Sequence, residues 1–113
     1  MSVKSSNQVF RGRWKIVEME QWDLDYIDLE GPGCIRFAAD DVGELQFGAV
    51  HAELDCRVVT SDTLLRIEFS WSGDSEGDPV SGRGWAEARD GGLYGHLYFH
   101  LGDDSWFKAV RTR

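Results

Sequence analysis

Three histidines are the first residues of this chain that could do chemistry, because imidazole nitrogen is a common metal ligand. His96 and His100 are four residues apart in one alternating segment, which in a strand separates them by ~13 Å. His51 belongs to a segment well before both in the sequence. This spacing does not predict a shared metal site, and we expect all three histidines to lie on the surface or at a rim.

Three carboxylates follow one another at alternate positions in Asp74-x-Glu76-x-Asp78, a spacing that resembles the start of a calcium-binding loop. The sixth position of such a loop would be Pro79 instead of glycine, and the twelfth would be Trp85 instead of glutamate. The sequence therefore predicts a solvated acidic segment, within a long polar loop over residues 72–79, and no metal or cofactor.

A serine, an aspartate and a histidine near the end of the chain supply the members of a hydrolase triad. Ser105 adjoins Asp104, and His100 precedes them, but the Gly-x-Ser-x-Gly elbow that exposes a nucleophilic serine is absent. We assign no catalytic residue on this basis. One alternative remains open: an enzyme with His100, Asp103 and Asp104 at a rim, covered by the acidic segment 23–28.

Aromatic and imidazole side chains recur on one parity of the last three alternating segments and suggest a binding surface. They combine apolar bodies with polar tips, as interfaces favour. The opposite parity carries small residues such as Gly82, Gly84 and Gly95, and the sequence leaves open which parity is buried. If the small parity is inside, the predicted ligand or interface residues are Trp85, Tyr94, His96, Tyr98, His100 and Trp106, with Lys108 beside them.

Eight short segments that alternate apolar and polar residues would position these side chains. Residues 51–59 show the pattern most clearly, with Ala52 and Leu54 on one side and Glu53 and Asp55 on the other. The first segment changes parity near Val17, which indicates a bulge or burial on both faces. A short helix or structured loop is predicted over residues 21–30. No long helix is available as a parallel crossover, so we expect an all-β, antiparallel meander.

Residues at the two ends of this meander suggest that it closes into a barrel. Gly12-Arg13-Trp14 opens the first segment and Arg111 ends the last, with Trp14 and Arg111 on the apolar parities of their strands. This pair resembles the signature of the calycin superfamily, the lipocalin and avidin-like barrels. The resemblance implies that the arginine stacks on the indole, and that a narrow internal cavity holds a small apolar ligand.

Three longer stretches are similar to a group of small bacterial proteins of no assigned activity: residues 71–73, 81–86 and 100–105. This likeness extends over nearly the whole chain but implies no functional residues. Six large rings could fill the interior of an eight-stranded barrel, and this argues against a deep ligand-binding cavity. They are Trp14, Phe37, Phe47, Phe69, Trp71 and Phe99.

Length and charge narrow the class of protein. The 113 residues fit one domain, which we place at residues 10–113 after a flexible tail over residues 1–9. A net charge of −8 disfavours nucleic acid and anionic membranes as partners. No leader is apparent and the two cysteines lack metal-type spacing, so we expect a cytoplasmic protein with reduced thiols. The leading hypothesis is a binding or protein-interaction module, with a homodimer through the aromatic surface as one form of it.

Overall fold

The computed structural model describes residues 7–61 and 64–112, which form a closed barrel of eight antiparallel strands in chain order. This confirms the predicted meander barrel and the short helix after its first strand. The strands are β1 (Gly12–Met19), β2 (Cys34–Phe37), β3 (Val42–Phe47), β4 (Val50–Ser61), β5 (Leu64–Ser75), β6 (Asp78–Arg89), β7 (Gly92–Phe99) and β8 (Asp104–Arg111). A 3₁₀ turn (Asn7–Val9) precedes β1, and the helix α1 (Leu24–Ile27) lies between β1 and β2.

The barrel closes where β1 pairs with β8, and this seam contains the predicted indole–guanidinium contact. Trp14 pairs with Arg111, whose guanidinium carbon lies 4.1 Å from the centroid of the indole. The same guanidinium donates hydrogen bonds to the carbonyl oxygens of Arg11 and, at 2.8 Å, of Val9. At Gly12, φ is +113° and a Cβ atom would lie 2.9 Å from Arg111 Nη1. Glycine is therefore required for the arginine to cross the end of the barrel.

A bulge in β1 explains the change of parity near Val17. The register against β8 shifts between Ile16 and Glu18. Val17 and Glu18 are both exposed, whereas Ile16 and Met19 are buried. The extra residue returns Met19 to the interior, so the predicted bulge is confirmed.

Aromatic and aliphatic side chains fill the interior. Phe10 is fully buried at one end, where it packs on Phe37 and accepts a 2.8 Å hydrogen bond at its carbonyl oxygen from the Trp14 indole. At the opposite end Trp22 lies over Phe47, with ring centroids 5.1 Å apart. The six rings expected in the interior all belong to or pack against this core.

The short helix α1 holds this second end closed. Asp23 caps it, since its carboxylate accepts a 3.1 Å hydrogen bond from the backbone N–H of Tyr26. The Tyr26 ring packs edge-on against Phe47 and occupies the space where a side chain at Gly48 would lie. Residues between β1 and β2 thus form a lid over the core.

Some local boundaries differ from the sequence prediction. The polar segment 72–79, predicted as a loop, is a hairpin in which Glu76 and Gly77 form the turn, both with positive φ. Six of its eight residues are exposed and the other two are half-buried, which suits polar side chains. The last part of the predicted seventh segment is a turn, with Leu101 at a φ of 57° and 95% exposed.

Two predicted segments fall partly outside the described residues. Residues 1–6 of the predicted tail lie outside the described residues, and so does Asp62 in the predicted turn after β4. Cys34 and Cys56 are free thiols.

Candidate functional site

The predicted aromatic surface lies on the outside of the barrel, across four neighbouring strands. We call it the cation–aromatic face and define it by rings from β6 to β8 together with basic side chains from β5 to β8. The rings are Trp85, Tyr94, His96, Tyr98 and Trp106, and the basic residues are Arg66, Arg83, Arg89 and Lys108. All five rings are half-buried.

Three glycines on the opposite parity place these rings outside. A Cβ atom at Gly82 would lie 2.8 Å from the ring of Trp71, and one at Gly95 would lie 2.6 Å from the ring of Phe107. A Cβ atom at Gly84 would lie 2.8 Å from the ring of Phe69. Large rings from β5 and β8 thus occupy the space that these glycines leave in the interior. The outward parity of β6 and β7 is free to carry bulky side chains.

Three of the outer rings form a stacked row across β6 and β7. His96 and Tyr98 are 4.7 Å apart between ring centroids with an interplanar angle of 29°. Trp85 also stacks with His96, with ring centroids 6.5 Å apart and an interplanar angle of 22°. His96 Nε2 also hydrogen-bonds Oδ2 of Asp104 on β8, which fixes the orientation of the imidazole.

A basic side chain lies over each of the large outer rings. The guanidinium of Arg66 is closest, 4.0 Å from the centroid of Trp85. Lys108 Nζ lies between two rings, 5.4 Å from Trp106 and 6.0 Å from Tyr94. Arg83 and Arg89 lie 5.6 Å from the rings of Tyr98 and Tyr94 respectively. Such contacts hold flexible cations at the surface in fixed positions.

One carboxylate anchors two of these cations. Glu87 is only 1% exposed although it points outward, because neighbouring side chains of the face cover it. Its Oε2 accepts a 2.8 Å hydrogen bond from Arg66 Nε, and its Oε1 accepts one from Arg89. Burial alone would raise the pKa of Glu87. The hydrogen bonds from Arg89 and Arg66 outweigh it, so the pKa lies below its usual value of 4.5.

An open groove continues the face toward β4. Arg57, Glu68, Arg83, Trp85 and Tyr98 contribute to its lining. Within residues 7–61 and 64–112, neither Arg57 nor Arg83 forms an ion pair, whereas Arg66 and Arg89 both bind Glu87. The groove therefore presents two guanidinium groups that form no ion pair among the described residues, beside the carboxylates of Asp55 and Glu68.

The remaining predicted site residues lie apart from the cation–aromatic face. His100, which the sequence grouped with it, is exposed in the turn after β7, and its backbone N–H donates to the carbonyl of Ser81. Ser105 is fully buried and its hydroxyl bonds only backbone: it accepts from the N–H groups of Glu20 and Gln21 and donates to the Trp106 carbonyl.

This arrangement does not bring together the groups of a triad, since Asp104 bonds His96. Asp74, Glu76 and Asp78 lie at and beside the tip of the β5–β6 hairpin. In the part of the chain that the structure describes, no three His, Cys, Asp or Glu side chains are grouped so that they could hold a metal ion.

Sequence reasoning missed the four-strand extent of the site. Arg83, Glu87 and Arg89 share the outward parity of Trp85 on β6, so the alternation could have identified them. Arg66 could not be found in this way, because its place opposite Glu87 depends on the register between β5 and β6.

Comparison of the chain with families of known proteins, with curated proteins and with solved structures found no match. Among the described residues, the helices are all too short to cross a membrane.

Proposed function

We propose that this chain is a calycin-like barrel that acts as a protein-interaction module, and that its cation–aromatic face binds an acidic segment of a protein partner. The observation that carries the proposal is the composition of one outer surface. It gathers five half-buried rings and four of the 12 basic residues in a chain of net charge −8. Aromatic and arginine side chains are the types that dominate binding energy at protein interfaces.

The chemistry of the groove indicates an acidic partner. Arg57 and Arg83 form no ion pair among the described residues. Guanidinium groups bind carboxylates through two parallel hydrogen bonds. Trp85 and Tyr98 line the same groove and offer apolar surface between the charges. A strand or loop that carries both acidic and aromatic side chains would match both features.

The calycin likeness is supported by the seam, where Arg111 stacks on Trp14 and bonds the carbonyls that precede β1. The free thiols of Cys34 and Cys56 fit the cytoplasmic location inferred from the sequence. The filled interior gives no support to an internal ligand cavity, and the exposed position of His100 gives none to a rim enzyme. The outer surface is the better-supported site.

A titration with a synthetic peptide of alternating glutamate and tyrosine residues tests the proposal. The indole N–H signals of Trp85 and Trp106, followed by two-dimensional NMR, should shift on addition of the peptide. Arg83→Ser should weaken binding by about 10-fold, because a charge-assisted pair is lost. Added salt should weaken it further.

Arg36→Ser is the matched control. It removes the same charge from β2, on the far side of the barrel, where Arg36 pairs with Glu44 at 3.2 Å. Equal weakening by both variants would mean that only net charge matters and would contradict the proposal, as would unshifted signals of both tryptophans.

A homodimer through the same face is the alternative left open by the sequence. It predicts that Tyr98→Ala converts a dimer to a monomer in sedimentation, whereas our proposal predicts that this variant changes peptide binding alone.

A further inference from the structure

Among residues 7–61 and 64–112, part of β4 has no neighbouring strand on one of its two sides. β3 pairs with β4 only as far as Val42 opposite Asp55, and the last bond on that side runs from the Cys56 N–H to the Asp41 carbonyl. β4 continues to Ser61, paired only with β5. Residues 57–61 therefore form a free strand edge, which we call the β4 edge.

The alternation of an antiparallel ladder shows which backbone groups are free. The N–H and C=O of one residue point to the same neighbouring strand, and those of the next residue point to the other. Because the Cys56 N–H points away from β5, Val58 and Thr60 direct both of their groups to the open side. Within the described chain, no hydrogen bond satisfies these four groups on that side.

Another unpaired edge in the described part of the barrel is protected, whereas the β4 edge is not. At the start of β6, Pro79 lies at a position whose N–H would face outward, and the Ser81 carbonyl accepts the His100 N–H. Proline and charge are the usual means of blocking an exposed edge. The β4 edge has neither proline nor charge at its centre. Val58, Val59 and Thr60 there are all β-branched, and β-branched residues favour strands.

We propose that the β4 edge pairs with the β4 edge of a second copy of this chain, in an antiparallel register centred on Val59. In this register Val58 lies opposite Thr60 of the second copy, and the reverse. These two pairs exchange four backbone hydrogen bonds and satisfy every free group on both edges. Val59 then meets Val59 of the second copy on the two-fold axis.

Charge favours a second copy in this register. Two chains of net charge −8 repel one another, but residues 57–61 contain no carboxylate. The one charged residue, Arg57, lies opposite Ser61 of the second copy, so no like charges face each other. The exposed side chain of Val42, 49% accessible, adds apolar surface beside the edge. The rings and basic residues that define the cation–aromatic face take no part in this pairing, but Arg57 belongs both to the β4 edge and to the groove that continues that face.

Disulfide trapping tests the register directly. A central pair without hydrogen bonds has Cα atoms about 4.5 Å apart, within the range that a disulfide spans. In a Cys34→Ser background, Val59→Cys should form a covalent dimer under mild oxidation. Arg57→Cys is the matched control. It should not form a covalent dimer, because position 57 lies opposite position 61 of the second copy, four residues from its own counterpart.

Sedimentation tests the backbone bonds. The wild-type chain should associate reversibly to a dimer, and Thr60→Pro should weaken association by about 10- to 100-fold, because two of the four bonds are lost. Its missing N–H faces the open side, so the β4–β5 ladder stays intact. Ser81→Lys on the protected edge should leave association unchanged, whereas Val59→Lys should abolish it.

A strict monomer at millimolar concentration would overturn the proposal. So would a dimer in which Arg57→Cys crosslinks as readily as Val59→Cys, or one dispersed by Tyr98→Ala, which would place the contact on the cation–aromatic face.

Discussion

Replacing Arg111 by alanine should destabilise the barrel, because this side chain links the last strand to the residues before the first. The substitution removes a cation–π contact with Trp14, worth about 0.5–1 kcal/mol at an exposed site. It also removes hydrogen bonds to the Arg11 and Val9 carbonyls, worth about 0.5–1 kcal/mol each in solvent. We expect a loss of about 2 kcal/mol in the free energy of unfolding, or roughly 8 °C in Tm.

Urea unfolding followed by tryptophan fluorescence measures this loss. Arg111→Ala should lower the midpoint and leave the slope unchanged, because the folded structure is retained. Arg111→Met, which keeps the apolar stem over the indole, should recover part of the loss. Arg36→Ala removes a comparable arginine with one surface ion pair to Glu44 and should cost at most about 0.5 kcal/mol. Equal effects of Arg111→Ala and Arg36→Ala would refute the reasoning that the seam depends on this arginine.

Three further substitutions or measurements follow from the site and the core. Glu87→Gln should cost about 1–2 kcal/mol at pH 7 through its buried hydrogen bonds. Because the folded-state pKa of Glu87 is lowered from 4.5, its contribution is present above about pH 4.5 and is lost below it, so urea midpoints of wild type and variant should converge in acid. Gly95→Ala should cost at least about 2 kcal/mol by thermal unfolding, since its Cβ would lie 2.3 Å from a backbone oxygen, whereas Gly102→Ala should be nearly neutral. Burial, with the nearby carboxylates of Asp41 and Asp55, raises the pKa of Cys56 to about 12, so a thiol reagent at pH 8 should label one cysteine in the folded protein and two in urea.

The strands and their closure could be predicted because each depends on local alternation or on a specific pair of residues. β7 alternates from Gly92 to Tyr98, and Trp14 and Arg111 are chemically distinctive partners. Which parity of β6 and β7 faces inward could not be predicted, because the answer lies on other strands. Gly82 is inside only because Trp71 of β5 fills the space beside it.

The cation–aromatic face and the β5–β6 hairpin could also not be predicted in full, because both depend on contacts beyond a single strand. The Arg66–Glu87 bond depends on the register of two strands, which alternation leaves undetermined. Residues 72–79 alternate weakly, since none of them is fully buried and neither parity requires apolar residues. Polar composition there indicated a loop, whereas the turn chemistry of Glu76-Gly77 was the better signal.

The seam also brings the two ends of the described chain to the same place: Arg111 bonds the Val9 carbonyl, and the Thr112 N–H donates to Arg13 at 3.0 Å. In a closed ring of strands that each pair with their neighbours in chain order, the order of synthesis is not itself a requirement of the fold. A circularly permuted chain, with a short linker across the seam and new termini at the exposed Glu76-Gly77 turn, should therefore rebuild the same barrel.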